Sequence, residues 1–372
     1  MDTLHFSDNL LFLRRKKGIT QEALADFIGV TKASVSKWEN KQSFPDILLL
    51  PYLASFFDVT VDELLGYEPQ LSKEQIQKFY YDLASDFGQF PFEDVMKRCN
   101  KLIKKYYSCY PFLLQMAILY LNHFMLSDTP QRQIEILTEA SNLCSHILSN
   151  CTNIGICNDS TILKAAINLQ LQNPKEVIDV LEELQNPYRL VHSSDTLLVK
   201  AYELEKNMEK ADQFAQISLF NHLISLIQNS TLYLRLHNQE PTRCNEIIHR
   251  TNELIQLFHV DQLHPNSSIL FYYEVSIIFC MQQNKELALD WLKKYVHLLL
   301  DVLDNDKLTL HGDSYFPQLD NWFEQSPLGS AAPRDITIIR NSAAQSLCHP
   351  AFSILDSEKT FKMLKKAFYN NP

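Results

Sequence analysis

The sequence predicts an all-α protein in which a small five-helix domain precedes a long array of helices. Only 7 of its 372 residues are glycine. Stretches rich in Leu, Ile, Ala, Glu, Lys and Gln recur between short breaks of Asn, Pro and Ser, which favours helix over sheet. The chain is also longer than one ordinary domain, since domains usually run to roughly 100 to 200 residues. We therefore expect at least two domains.

Residues 1–66 contain the start and stop signals of five short helices. Threonine is a preferred N-cap, and glycine commonly follows the last turn of a helix. The predicted helices are about 7–17 before Gly18, a second after Thr20, about 32–40 after Thr31, a fourth after Pro45 and Asp46, and a fifth from the capping box of Thr60 and Glu63 to Gly66.

The second and third of these helices are separated only by a tight turn at Gly29 and Val30. In the third helix Val35 and Trp38, three residues apart, face the core together. Its polar residues then face outward. A helix, a glycine turn and a second helix with a polar outer face form the geometry that lets the second helix enter a DNA major groove.

The charge distribution separates this first domain from the rest of the chain. The net charge is -10, which speaks against nucleic acid because phosphate neutralisation needs Lys and Arg. In 1–66, however, all seven basic residues fall between positions 14 and 41, against nine acidic residues across the segment. This clustering predicts a locally basic head on an acidic body.

Residues 13–41, which read LRRKKGITQEALADFIGVTKASVSKWENK, and residues 57–65, which read FDVTVDELL, resemble the XRE or Cro-type helix-turn-helix family. The resemblance implies a sequence-specific DNA-binding transcriptional regulator and an architectural ion pair between Arg14 and Glu39. The residues that it places at the DNA are Gln21, Thr31, Lys32, Ala33, Ser34, Ser36, Lys37, Asn40 and Lys41.

Two positions depart from the family pattern. Lys32 and Ala33 stand where relatives often carry Gln or Arg, so bidentate reading of adenine or guanine does not follow from the resemblance. The segment could also be a helical domain used only for protein contact, as in some relatives.

Residues 67–72, which include Glu68 and Pro69, break the helical pattern and predict a linker. Amphipathic helices then alternate with short breaks over 73–304, and 305–372 is expected to close the array. The predicted helices are about 73–87, 92–106, 111–125, 130–149, 160–172, 175–185, 194–206, 209–218, 219–237, 242–259, 267–283 and 285–304.

Paired helices over so long a stretch are typical of a helical-repeat solenoid. In three of the predicted helix pairs, the second helix carries a small residue followed three positions later by a bulky one. The small residue lets neighbouring helices approach closely. These pairs are Ala140 with Leu143, Ala211 with Phe214, and Ala288 with Trp291. The pattern resembles degenerate tetratricopeptide repeats.

A Cro-type head on a tetratricopeptide-like body resembles the RRNPP group of peptide-responsive regulators. This resemblance implies a homodimer on double-stranded operator DNA and a helical domain that senses a short signalling peptide of the quorum-sensing type. The implied peptide-binding residues are asparagines, with Asn122 and Asn168 as the first candidates and Asn207 and Asn221 as the weaker ones. The alternative is a DNA-binding regulator whose solenoid binds a protein partner instead.

The sequence lacks the motifs of the common enzyme classes. We find no phosphate-binding glycine loop, no HExxH and no GxSxG, so we expect neither catalysis nor a cofactor. The eight cysteines are scattered and are expected to be reduced. His259 and His264, with Asp261 between them, are the nearest approach to a metal-ligand cluster, and we expect no metal there. Without a secretory signal or a membrane span, the expected location is cytoplasmic.

Overall fold

The computed structural model describes residues 5–67, 70–184, 194–304 and 309–367. These residues form helices and turns, and no β-strand occurs among them, which confirms the predicted all-α class. Part of the predicted linker (68–69), and 305–308 and 368–372 of the predicted closing segment, lie outside the described residues. Within the described ranges, no helix is both long enough and apolar enough to cross a membrane.

The chain divides into two compact units. The first comprises residues 1–72 together with 102–112. Five helices of the first unit lie within 1–66, as predicted. They are α1 (Phe6–Lys16), α2 (Gln21–Ile28), α3 (Lys32–Glu39), α4 (Leu50–Phe57), preceded by a 3₁₀ turn at Ile47–Leu49, and α5 (Val61–Leu65).

A single apolar core holds these five helices together. Each helix contributes at least one fully buried side chain, because each repeats its apolar residues at helical spacing. The buried residues include Phe6, Leu10, Leu24, Val35, Trp38, Leu53 and Leu64. The predicted capping box at the start of α5 is present, with the Glu63 amide donating to Thr60 Oγ1 at 3.1 Å and the Thr60 amide donating to Glu63 Oε2 at 2.7 Å.

The second unit comprises residues 73–101 and 113–372. The helices that follow α5 along the chain are α6 (Lys73–Gln89), α7 (Phe92–Lys105), α8 (Tyr110–His123), α9 (Pro130–Asn150), α10 (Ile154–Gln170), α11 (Pro174–Leu184), α12 (Ser194–Leu204), α13 (Met208–Leu236), α14 (Pro241–Leu257), α15 (Val260–Leu263), α16 (Pro265–Met281), α17 (Lys285–Asp304), α18 (Leu319–Gln325), α19 (Ile336–Ser346) and α20 (Lys359–Ala367).

Consecutive helices from α9 to α11 and from α12 to α17 pack against each other, most extensively α9 with α10, α12 with α13 and α16 with α17. The small residues of the three predicted pairs are all buried: Ala140, Ala211 and Ala288. Near the end of the chain Phe352 and Phe361 join the same core as α16 and α17.

Two predicted helix bounds are wrong. The break expected between 218 and 219 is absent, and α13 runs unbroken for 29 residues. No glycine or proline interrupts it, and Phe220 buries its ring just beyond the expected break. In α10 the helix begins at Ile154 and not near 160, because the Asn153 side chain accepts from the Ile156 amide at 3.1 Å and caps it there.

Candidate nucleic-acid interface

The turn between α2 and α3 depends on a glycine in a left-handed backbone conformation and on a threonine that caps the next helix. Gly29 lies at φ 78°, in the left-handed region that glycine adopts without a steric penalty. The amides of Gly29 and Val30 both donate to the Ala25 carbonyl at 2.9 Å, which ends α2. Two residues later Thr31 starts α3 by accepting from the Ser34 amide at 3.2 Å. The two helices are therefore joined with almost no loop between them.

The side chains of α3 divide into a buried face and an outward face. Val35, Trp38 and Glu39 are buried. The outward residues are separated by three or four positions, a spacing that brings side chains to one side of a helix. They are Lys32, Ala33, Lys37 and Asn40, which are exposed, and Ser36, which is half-buried. This face carries five of the nine predicted DNA-binding residues.

Thr31 and Ser34 contribute to the start of α3. Both side chains act locally: the Thr31 hydroxyl accepts from the Ser34 amide, and the two hydroxyl oxygens are 2.9 Å apart. Thr31 is exposed and Ser34 is half-buried. Their first role is therefore to fix where the helix begins.

Arg14 and Glu39 join α1 to α3 by a bidentate ion pair. Arg14 Nε lies 2.5 Å from Glu39 Oε1 and Arg14 Nη2 lies 2.9 Å from Oε2. The Glu39 side chain is only 3% exposed and that of Arg14 is 13% exposed. Burial alone would raise the pKa of Glu39, but the hydrogen bonds from Arg14 and Gln21 outweigh it and lower the pKa. Arg14 also donates to the Ile19 carbonyl at 2.8 Å, which ties down the turn before α2.

Gln21 belongs to this same network. Its Nε2 donates to Glu39 Oε2 at 2.8 Å. The family resemblance implies a DNA contact for Gln21, and the structure gives it an architectural contact as well. An amide nitrogen carries two hydrogens, so a phosphate contact would use the second one.

The remaining predicted contacts have partners that the sequence did not indicate. Lys41 Nζ lies 2.9 Å from Asp8 Oδ2, and Lys32 Nζ lies 3.6 Å from Glu22 Oε2. Both pairs are exposed, so each contributes only about 0–1 kcal/mol. No periodicity links these partners, which lie 33 and 10 positions apart in sequence, and no local signal could have found them.

Asn40 and Lys17 make further contacts within the first unit. Asn40 Nδ2 donates to the Ser36 carbonyl at 2.9 Å, at the end of α3. Lys17 Nζ donates to the Phe56 carbonyl and lies 4.3 Å from the centre of the Phe56 ring. Together with Arg14, Lys32 and Lys41, Lys17 is therefore one of four of the seven basic residues between 14 and 41 that have a partner inside the first unit.

The four asparagines that the sequence proposed for a peptide lie in different environments. In the second unit Asn122 Nδ2 donates to the Tyr80 hydroxyl at 3.0 Å. Asn168 is 7% exposed within α10, and Asn207 caps α13 by accepting from the Lys210 amide at 3.2 Å. Asn221 lies exposed on α13. Among these candidates, the structure makes Asn207 a helix cap, and a cap uses the acceptor that a peptide N–H would need.

The histidines near Asp261 do not converge on a common point. Asp261 accepts from the Tyr272 hydroxyl at 3.0 Å, while His264 Nδ1 lies 2.9 Å from Ser267 Oγ. Throughout the part of the chain that the structure describes, no group of three His, Cys, Asp or Glu side chains could hold a metal ion. No cystine occurs there either: the eight cysteines are free, and Cys348 is exposed.

Comparison with known proteins bears on the first unit. A family model described as helix-turn-helix matches residues 10–64. The chain is 40% identical over 65 residues to the HTH-type transcriptional activator BcrR of Enterococcus faecalis, and this match spans 18% of the chain and 32% of BcrR. It is 31% identical over 78 residues to the HTH-type transcriptional regulator YobD of Bacillus subtilis, spanning 20% of the chain and 70% of YobD.

Among solved structures, the chain is similar to Bacillus thuringiensis PlcR in complex with the peptide PapR7 and DNA. The two are 17% identical with a TM-score of 0.30, over 81% of this chain and 96% of that one. The match to YobD covers most of that regulator, and the helix-turn-helix model spans residues 10–64, in which α2, the Gly29 turn and α3 lie. The chain therefore belongs to the helix-turn-helix transcriptional regulators of the XRE type.

Proposed function

We propose that this protein is a sequence-specific regulator that reads double-stranded operator DNA by placing α3 in the major groove. The observation that carries the proposal is the division of α3, whose Trp38 anchors one face in the core while Lys32, Lys37 and their neighbours occupy the other. The side chains of the outer face are not part of the core, so they are free to contact DNA while the buried face holds the helix in place.

The residues on this face would play different parts. Lys32 and Lys37 carry positive charge, which suits phosphate oxygens or the acceptors of guanine. Ala33 would leave room for a thymine methyl group, and Ser36 can donate or accept. Lys32 would leave Glu22 on binding, at small cost because that pair is exposed. Arg14 and Glu39 would set the angle of the helix and would not touch the bases.

Footprinting on the DNA upstream of the protein's own gene, at stated salt, tests this reading. In the double variant Lys32→Ala with Lys37→Ala we expect weaker binding and a salt slope smaller by about 2, because each lost phosphate contact reduces the slope by about 0.9. The matched control is Lys362→Ala with Lys366→Ala, which removes two exposed lysines from α20. Equal affinity and equal sequence preference in both double variants would contradict the assigned face.

We propose further that the second unit senses a short signalling peptide. The support is the resemblance of a Cro-type head on a helical-repeat body to the peptide-responsive regulators. Repeating the footprint with synthetic peptides encoded by short reading frames beside the gene separates two possibilities. A footprint that moves or weakens with one peptide supports peptide sensing. A footprint indifferent to every peptide favours the alternative, a protein partner for the helical array.

We propose a homodimer as the DNA-bound form, with α13 as its contact. Leu219, Leu226 and Tyr233 lie seven residues apart on this helix and are about half exposed. A spacing of seven returns to nearly the same face. No Asp, Glu, Lys or Arg occurs from 213 to 234, so two copies of this face would meet without charge repulsion. We expect a second copy of the chain to cover this face, because paired half-sites on DNA need two DNA-binding units. A two-fold axis brings the same face of α13 from both copies together.

A further inference from the structure

Arg334 is a half-buried cation that has no anionic partner among the described residues. It lies in the segment between α18 and α19, and no ion pair or hydrogen bond of its guanidinium is found among the described residues. The neighbouring carboxylate, that of Asp335, caps α19 by accepting from the Thr337 amide at 2.8 Å. Burial lowers the pKa of Arg334, and the opposing influence comes from Tyr80 and not from a carboxylate.

This arginine is held against α6 by hydrogen bonds that span the second unit. The Tyr80 hydroxyl donates to the carbonyl of Pro333, the residue before Arg334, at 3.1 Å. Gln77 Nε2 donates to the Ser326 carbonyl at 3.2 Å, further back in the same segment. Gly88 completes the contact, since a Cβ there would lie 3.2 Å from the Asp335 carboxylate. The position of Arg334 is therefore fixed by α6.

The same bonds determine which way the Asn122 amide points. A carbonyl can only accept, so the Tyr80 hydroxyl hydrogen is committed to Pro333 and its oxygen must accept from Asn122 Nδ2 at 3.0 Å. The Asn122 Oδ1 is then left as an acceptor on a partly exposed side chain. Arg334 interacts electrostatically with Tyr80, and both Arg334 and Asp335 act on His123, the residue after Asn122.

His123 does not add a second positive charge to this cluster. Its ring is fully buried and stacks on Phe87 at 4.7 Å. Burial lowers the pKa of His123 to about 4, so the ring is neutral at pH 7. Its Nδ1 donates to the Leu119 carbonyl at 2.8 Å, and Nε2 has no partner within the described residues. Arg334 is thus the cation of the cluster.

We propose that Arg334 binds a carboxylate of the peptide ligand, with Asn122 Oδ1 accepting a backbone N–H of the same peptide. This inference rests on the proposed function of the second unit as a peptide sensor. A partly buried guanidinium without an anion carries a desolvation cost that a bound carboxylate offsets, and its planar donors match the two carboxylate oxygens. The carboxylate can come from the C-terminus of the peptide or from an acidic side chain.

The test uses the full-length protein and two mixtures of synthetic heptapeptides, one with free C-terminal carboxylates and one with C-terminal amides. Peptides retained by the protein on ultrafiltration are identified and quantified by mass spectrometry. The variants are Arg334→Gln, Arg334→Lys and, as the matched control, Arg250→Gln, whose arginine is exposed on α14 and pairs with Glu246. Circular dichroism checks that each variant is folded.

We expect the wild type and Arg250→Gln to retain carboxylate peptides about ten- to a hundredfold better than amides, the range for a hydrogen-bonded charge. Arg334→Gln loses that preference and Arg334→Lys keeps part of it. Retained amides enriched in Asp or Glu at one position would support the same site with an acidic side chain as the carboxylate source.

Two results would overturn the inference in different ways. If the wild type retains acids and amides equally, without enrichment of Asp or Glu, Arg334 binds no carboxylate while peptide sensing stands. If no peptide from either mixture is retained, both the site and the proposed peptide sensor fail. Because the comparison of acid with amide uses wild-type protein, it holds even if a variant misfolds.

Discussion

Replacing Glu39 by Gln tests whether the buried ion pair positions the reading helix. The substitution keeps the shape of the side chain but removes the charge that Arg14 faces at 2.5 and 2.9 Å. Removing one partner of a buried pair costs about 3–5 kcal/mol, since the other charge stays buried and uncompensated. Arg14 keeps 13% of its side chain in water, so we expect the lower end, about 3 kcal/mol.

Hydrogen exchange of the full-length protein, followed by mass spectrometry, measures this cost locally. Peptides that cover α2 and α3 report the free energy of opening of the first unit without requiring the whole chain to unfold. A loss of about 3 kcal/mol makes exchange roughly a hundredfold faster, since 1.4 kcal/mol corresponds to a factor of ten.

The control is Lys41→Ala, which breaks the exposed pair with Asp8. That pair is of similar length, at 2.9 Å, but its side chains are 65% and 55% exposed, so its loss costs about 0–1 kcal/mol. If Glu39→Gln accelerates exchange no more than Lys41→Ala does, burial does not strengthen the ion pair between Arg14 and Glu39. That pair would then not be what orients α3.

Two more predictions concern stability at acid pH and assembly. The pKa of Glu39 is lowered in the folded protein from 4.5, so its contribution is complete above that value and is lost as the pH falls through the folded pKa. The first unit should therefore melt at lower temperature below about pH 4.5, and Glu39→Gln should remove much of that dependence. We follow the melting by the fluorescence of Trp38 in a Trp291→Phe, Trp322→Phe background, and an unchanged pH profile in Glu39→Gln would assign the effect to other groups. On α13, Leu226→Glu should shift the protein from dimer to monomer in analytical ultracentrifugation, because the charge would be buried against its copy. Leu257→Glu, which is 71% exposed in the wild type on α14, should leave the mass unchanged, and a dimer that survives Leu226→Glu would place the contact elsewhere.

The fold of the first unit was predictable because its signals are local. Thr20 and Thr31 cap the helices that they precede, and Gly29 takes the left-handed conformation that its position required. Each interaction joins residues at most five positions apart, so the sequence displays both partners together. The same reasoning failed at 218–219, where buried side chains continue α13 through a place that looked like a boundary.

Contacts between distant parts of the chain could not be predicted in this way. Tyr80 meets Pro333 across 253 positions, and no periodic pattern connects them. Four asparagines looked equivalent as peptide ligands in the sequence, yet one caps a helix, one is buried, one is exposed and one is oriented by a tyrosine. Residue type states what a side chain can bond to, and the fold decides which of those bonds are already made.

That distinction explains why Arg334 does not stand out in the sequence. Arginine is normally exposed or paired, so a single one between Pro333 and Asp335 reads as solvated. The fold takes away much of its water by packing the segment against α6, and it commits the adjacent carboxylate of Asp335 to capping α19. A cation that has lost solvent and gained no anion has a high free energy, and binding an anion would lower it. In this chain the same hydrogen bonds hold Pro333, the residue before Arg334, against Tyr80 and leave the Oδ1 acceptor of Asn122 unused by Tyr80. One network thus positions the two groups that would bind a peptide terminus.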